Sequence, residues 1–267
     1  MKVRFLSLAS GSSGNCYYLG CESYGILIDA GIGVRTIKKR LKTFGIPIEN
    51  VIAVFVTHDH ADHIKALSVL GEQLFIPIYA TPSIHKGINN SYCTSIKLQS
   101  CVRHIDKNVP VQLRDFTIEA FEVPHDGTDN VGYCITVGDR TFCFLTDLGE
   151  ITDMAANYIA RANHLIIEAN YDDHMLDVGP YPAHLKSRIK SRTGHMSNSD
   201  TAHFLASHYS DKLQNIWLCH LSRENNTPDA ALSAVAGSLE EAGVVVGRDV
   251  TVEPLNRSEP TGPYDFE

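Results

Sequence analysis

Val51-Ile52-Ala53-Val54-Phe55-Val56-Thr57-His58-Asp59-His60-Ala61-Asp62-His63 is an uncharged apolar run that breaks into three histidines and three aspartate or alanine partners of small size. The apolar half reads as a buried strand. At a strand end alternate residues point to one side, so His58 and His60 can grip one cation together. Asp62 and His63 lie past the turn, placed to reach a second cation. A polar loop whose histidines cap a helix is the competing reading. Three imidazoles and a carboxylate at this spacing favour metal chemistry over it.

Outward from this stretch the chain becomes recognisable. H-x-H-x-D-H after an apolar strand resembles the signature of the metallo-β-lactamase superfamily of hydrolases. That resemblance sends the reader to His125 in Val123-Pro124-His125-Asp126-Gly127, Asp147 ending Phe142-Cys143-Phe144-Leu145-Thr146, and His220 ending Ile216-Trp217-Leu218-Cys219. It implies an α/β fold, the four-layer αββα sandwich, with two divalent ions per chain. His58, His60 and His125 would hold one ion and Asp62, His63 and His220 the other, with Asp147 bridging. Imidazole and carboxylate donors without thiolate suit zinc, manganese or iron. Asp59, between the first two histidines, is expected to act catalytically, on the water between the ions or just behind the ligands; closing the loop is its alternative role.

The 267 residues, 43% hydrophobic, suffice for one domain spanning 1–267. Seven cysteines without a C-x-x-C pair argue for reduced thiols and not a disulfide scaffold. The N-terminal residues lack the apolar core of a signal peptide, and no stretch has the apolar length of a membrane span. A soluble cytoplasmic protein is expected. The net charge of −8 counts mildly against a nucleic-acid partner, although metal ions would offset part of it locally.

Strands and helices alternate in both halves. Apolar segments at Val3–Ala9, Cys16–Leu19 and Tyr24–Ile28 open the chain, the first two joined by a Gly/Ser stretch from Ser10 to Asn15. That stretch could cradle a phosphate on its backbone N–H groups or form only a tight hairpin. Helices are expected over Val34–Phe44, Asp62–Gln73, Thr152–Ala162, Ala183–Arg192 and Ser199–Tyr209, and from Thr227-Pro228 to Gly243. A hairpin about Gly138-Asp139 joins Val131–Val137 to Arg140–Leu145. Val250–Leu255 closes the sheet system, and the tail from Asn256 reads as loose.

The substrate is read from what surrounds the ligands. The β-lactam-cleaving members use a Cys near the position of Asp147 and lack the Asp62-His63 pair, so antibiotic hydrolysis is disfavoured. Gly194-His195-Met196-Ser197-Asn198 resembles the segment carrying the additional histidine of the phosphodiesterase members, which implies that His195 stabilises phosphate charge and protonates the leaving oxygen. Together with Leu8 to Asn15, Glu168-Ala169-Asn170, Gly179-Pro180-Tyr181-Pro182 and His220 to Asn226, it makes the chain similar to the bacterial YycJ (WalJ) family. Membership would imply a DNA exonuclease acting from the 5′ end, linked to DNA repair. Lys186, Arg188, Lys190 and Arg192 crowd one expected helix near His195, and Arg223 follows the last ligand. These five are candidate DNA-backbone contacts, with a solvated face as the alternative. Two other readings stand beside the nuclease: a small-molecule metallohydrolase of thioesters, lactones or cyclic phosphates, and a non-catalytic regulatory protein stabilised by metal.

Overall fold

The computed structural model describes residues 1–267. In chain order its first part comprises strands β1 (Val3–Gly11), β2 (Gly14–Gly20) and β3 (Gly25–Ile28), helix α1 (Val34–Thr43) and strand β4 (Val51–Phe55). Helices α2 (Ala61–Ile64) and α3 (Leu67–Glu72), strand β5 (Ile78–Ala80), helix α4 (Pro82–Asn90) and strand β6 (Val102–His104) follow. The middle holds β7 (Val111–Leu113), β8 (Phe116–Glu122), β9 (Val131–Val137) and β10 (Arg140–Leu145). Then come α5 (Asp153–Ile159), β11 (His164–Glu168), α6 (Asp173–Val178), α7 (Ala183–Ile189) and α8 (Asn198–Ser207). Strand β12 (Asn215–Cys219), helix α9 (Pro228–Glu241) and strands β13 (Thr251–Pro254) and β14 (Thr261–Phe266) complete the chain. No helix is long and apolar enough to cross a membrane.

The chain divides into two compact units, the first being 1–106, 127–130 and 256–267 and the second 107–126 and 131–255. The first unit carries one seven-stranded sheet in the order β14-β1-β2-β3-β4-β5-β6. Successive pairs from β14 to β3 are antiparallel, while β3 to β6 are parallel. Helix α1 buries Ile37 and Leu41 and turns Arg35, Lys38, Lys39 and Lys42 outward. Gly45, at φ +74°, follows its end in the left-handed conformation that glycine adopts without steric cost. Thr81 caps α4 by accepting the Ile84 N–H, with Pro82 at the first helical position.

One open alternative is decided and two expectations change in this unit. The Gly/Ser stretch is the tight hairpin: Ser10 pairs with Asn15 and Gly11 with Gly14, so only Ser12 and Ser13 lie outside the ladder. The single helix expected over Asp62–Gln73 is broken between α2 and α3. There the Ala66 N–H donates to the Ala30 carbonyl at 2.9 Å, and a Cβ at Gly31 would collide with the Asp62 carbonyl. The tail is ordered: β14 pairs with β1, with Phe5 stacked on Tyr264 at 6.0 Å and Arg4 paired with Asp265 at 2.6 Å.

The second unit repeats the plan, with sheet order β13-β12-β11-β10-β9-β8-β7, antiparallel from β7 to β10 and parallel from β10 to β13. Leu145, Leu165, Ile167 and Leu218 join Leu205, Val235 and Leu239 of α8 and α9 in one apolar core. Burying such side chains contributes about 1.5–3 kcal/mol each and fixes the strand ends in place. Asp147, Glu168 and His220 follow or end neighbouring parallel strands of this sheet, the edge at which α/β sheets present their ligands.

Candidate metal centre

In the first unit His58, His60, Asp62 and His63 come together in the turn after β4. The ring of His58 lies 4.6 Å from that of His60 and 4.0 Å from that of His63, and Asp62 Oδ2 lies 3.6 Å from His63 Nε2. Asp29 anchors this loop. Its carboxylate accepts the Thr57 N–H and Oγ1–H at 2.8 Å each and His63 Nδ1–H at 2.7 Å, and it is fully buried. Asp29 itself sits at φ 59°, a conformation uncommon outside glycine and held only where the surroundings fix it. With Nδ1 donating to Asp29, Nε2 of His63 carries the lone pair that a metal needs.

The amide of Asn15 lies between two of the expected ligands. Its Nδ2 is 2.9 Å from His63 Nε2 and 3.3 Å from Asp62 Oδ2. A positively polarised N–H group thus meets the two atoms that would share a cation, so the pocket's electrostatics fit one. Asp59 has a different environment from its neighbours. Both its oxygens accept from Thr128, the backbone N–H at 2.9 Å and Oγ1–H at 2.5 Å, which ties the metal-binding loop to 127–130.

In the second unit His125, Asp147, His195 and His220 come together around a residue to which the sequence reading gave no role, Glu168. Its Oε1 accepts His195 Nδ1–H at 2.7 Å and His220 Nδ1–H at 2.9 Å. Its Oε2 accepts the backbone N–H groups of Leu148 at 3.1 Å and Met196 at 3.2 Å. Burial opposes the charge on Glu168, but the two histidines outweigh it and hold the carboxyl below its usual range. Asp147 Oδ1 lies 3.0 Å from His220 Nδ1 and 3.9 Å from His125 Nε2. One donor atom from each of Asp147, Glu168, His195 and His220 lies within 4.8 Å of the others, a compact nitrogen and oxygen set of the kind divalent ions take.

The two histidines flanking this cluster are pushed in opposite directions. His125 donates Nδ1–H to the Gly194 carbonyl at 2.8 Å, and burial lowers its pKa, which keeps it neutral as a ligand must be. Burial acts against the charged form of His195 too, but the Glu168 carboxylate outweighs it and holds the imidazole above its usual range. His220, at φ 52°, is the second residue of the centre in the left-handed region, and Asn170 Nδ2 donates to its carbonyl at 2.8 Å.

The cationic helix is largely engaged within its own unit. Arg188 pairs with Asp126 at 2.6 Å, Lys190 with Asp177 at 2.6 Å and Arg192 with Glu150 at 2.8 Å, while Lys186 donates to the Asp177 carbonyl at 2.7 Å. Helix α7 ends at Ile189, so Arg192 lies beyond it. Arg223 is exposed, with Glu224 3.7 Å away. The Arg188 pair also tethers α7 to Asp126, the residue after His125.

Asp29 and Glu168 are the functional residues that the sequence reading passed over. Each is a carboxylate at the end of a buried apolar strand, the same signal that singled out Asp147. What neither shows in sequence is the histidine it orients, which lies 34 residues away for Asp29 and 27 for Glu168.

Comparison with known proteins shows the family of the chain. Residues 24–213 match the family described as the Beta-lactamase superfamily domain. The chain is 32% identical over 273 residues to the exodeoxyribonuclease YycJ of Bacillus anthracis, covering 98% of both chains. It is 34% identical over 250 residues to the exodeoxyribonuclease WalJ of Streptococcus pneumoniae serotype 2, covering 93% of both. The metallo-β-lactamase fold protein YhfI of Bacillus subtilis, 17% identical, superposes with a TM-score of 0.70 over 98% of this chain and 99% of its own. That likeness shows the fold, an α/β sandwich. The chain belongs to the metallo-β-lactamase superfamily and, within it, to the YycJ/WalJ-like metal-dependent hydrolases.

Proposed function

We propose that this protein is a dinuclear metal-dependent phosphodiesterase that degrades DNA from the 5′ end and serves DNA repair in the cytoplasm. The observation that carries the reading is the Glu168–His195 pair. A histidine held above its usual range by a buried carboxylate, beside the metal-ligand residues, can hold a proton for the leaving oxygen of a phosphodiester. Thioester hydrolysis, which expels a thiolate that leaves without protonation, has less need of such a group. Relatives spanning nearly the whole chain are named exodeoxyribonucleases, which supports DNA as the substrate.

The ligand assignment follows family order: His58, His60 and His125 for one ion, Asp62, His63 and His220 for the other, and Asp147 for both. The two units would then act as one catalytic domain. Zinc, manganese and iron all suit the donor set. When bound, the ions supply Lewis acidity and an activated water. The chain's own part is to orient and to move protons. Asp29 fixes His63, Glu168 fixes His220 and His195, and His195 delivers a proton from Nε2. Asp59 acts by positioning the loop that carries His58 and His60. Lys186, Arg188, Lys190, Arg192 and Arg223 contribute weaker backbone contacts, since a DNA phosphate must first displace their present partners.

The test is a substrate comparison on protein of defined metal content: DNA labelled at either end, RNA, a bis-aryl phosphate, a thioester and a lactone. Release of nucleotides from the 5′ end of DNA is the expected result. Turnover of the thioester or lactone with DNA left intact would replace this reading with a small-molecule hydrolase. No turnover of any substrate would leave the regulatory reading.

A further inference from the structure

Lys86, Asn90 and Ser91, at the end of α4, line a cavity of about 300 Å³ completed by Gly87, Asp59 and Thr128. Asp59 stands between His58 and His60 in the chain, so this cavity borders the metal-binding loop. The helix backbone comes close to that loop: a Cβ at Gly87 would collide with Asp59 Oδ2. Lys86 and Asn90 are one turn apart and share a helix face, both exposed. Lys86 is the one cation in the lining. The only carboxylate there, Asp59, is held by its two bonds from Thr128.

The next residue after Ser91 is Tyr92, whose side chain is 91% exposed, the most of any large apolar residue in the chain. A ring exposed to this extent is open to stacking by a planar partner. Tyr92 directly follows a lining residue of the cavity, Ser91. Nothing in the metal chemistry uses Lys86, Asn90, Ser91 or Tyr92.

A cation flanked by amide and hydroxyl donors, next to an exposed ring, matches the two parts of a nucleotide: an anionic phosphate and a flat base. We propose that this cavity is a subsite for one nucleotide of the DNA strand beside the cleaved bond, with Lys86, Asn90 and Ser91 holding its phosphate and Tyr92 stacking on its base. The inference rests on the nuclease reading above and adds to it the residues that place the strand.

The experiment compares Lys86→Ala, Tyr92→Ala, Tyr92→Phe and Tyr92→Trp with the wild type on single-stranded DNA and on a bis-aryl phosphate. Metal content is measured on each preparation. Lys86→Ala is expected to raise KM for DNA about 10-fold or more and to flatten its salt dependence by about 0.7 in logarithmic slope. Tyr92→Ala is expected to raise KM by about 5- to 150-fold, and the two aromatic replacements to restore it. The losses should be confined to DNA, because an aryl diester has no neighbouring nucleotide to place. Wild-type KM and salt slope in the Lys86 and Tyr92 alanine variants overturn the subsite. So does an equal fall on both substrates, which would mean that the helix only shapes the metal loop. A wild-type protein that cleaves the aryl diester but not DNA overturns the nuclease reading itself, and the subsite with it.

Discussion

Glu168 and His195 are 27 residues apart in the chain and 2.7 Å apart in the structure, carboxylate oxygen to Nδ1. The same oxygen accepts from His220, so one buried side chain orients a proposed metal ligand and the proposed proton donor together. His195→Ala should lose about 10²–10⁴-fold in DNA turnover with both metals retained. The loss should shrink for an aryl diester, whose leaving group needs little protonation. Glu168→Gln should reproduce that substrate dependence and, unlike His195→Ala, also weaken metal retention through His220. Turnover and elemental analysis on the same samples check both.

Metal stoichiometry is a direct measure of the ligand assignment. Wild-type protein prepared in metal-replete buffer should hold two divalent ions per chain. Asp147→Ala should lower both occupancies, because the carboxylate is assigned to both ions. One ion or none in the wild type would remove the dinuclear centre.

Asp29 should matter as much as a ligand, although it is assigned to none. Asp29→Asn keeps the shape but replaces one accepting oxygen with an amide donor facing Thr57 and His63. Losing such an orienting partner typically costs 10- to 100-fold in metal affinity. Competition with a chelating dye, alongside a circular dichroism spectrum to show an intact fold, reads that loss.

Replacing Lys186, Arg188, Lys190 and Arg192 together by Gln should weaken DNA binding only modestly. Three of the four already pair with carboxylates, so few counterions are released when DNA arrives. The salt slope should fall by clearly less than the about 0.7 expected per fully engaged site on single strands. A larger fall would show that DNA displaces these pairs efficiently.

His164 provides a pH-dependent term in stability far from the ligand set. Burial lowers its pKa from 6.5 to about 4, while its Nδ1 lies 2.8 Å from Asn215 Oδ1. The unfolded chain binds this proton more readily than the folded one between those values. The stability it contributes is therefore complete above pH 6.5 and is lost as pH falls toward about 4, on the order of 3 kcal/mol in all. Urea midpoints of wild type and His164→Gln at pH 7.5 and 5 should show a shallower pH dependence in the variant.

Much of the molecule was legible in the sequence because the signals are local. An apolar run followed by His58-Asp59-His60-Ala61-Asp62-His63 encodes a buried strand and a polar turn within a few residues. The alternation of strands and helices, the Thr227-Pro228 cap and the Gly138-Asp139 hairpin are equally short-range. What tertiary structure alone decided depends on residues that are distant in the chain. β14 is a strand only because β1 offers it a partner edge, as the exposed and alternating pattern of Thr261–Phe266 has no strong intrinsic preference. The expected helix over Asp62–Gln73 breaks because Ala30 supplies a competing carbonyl to Ala66. The charge on α7 and on the residues just after it is spent because folding brings Asp126, Asp177 and Glu150 there. Sequence thus set which residues can bind metal, through donor chemistry and spacing. Only the fold set which carboxylate orients which histidine, because that choice is made by packing and hydrogen-bond geometry across tens of residues.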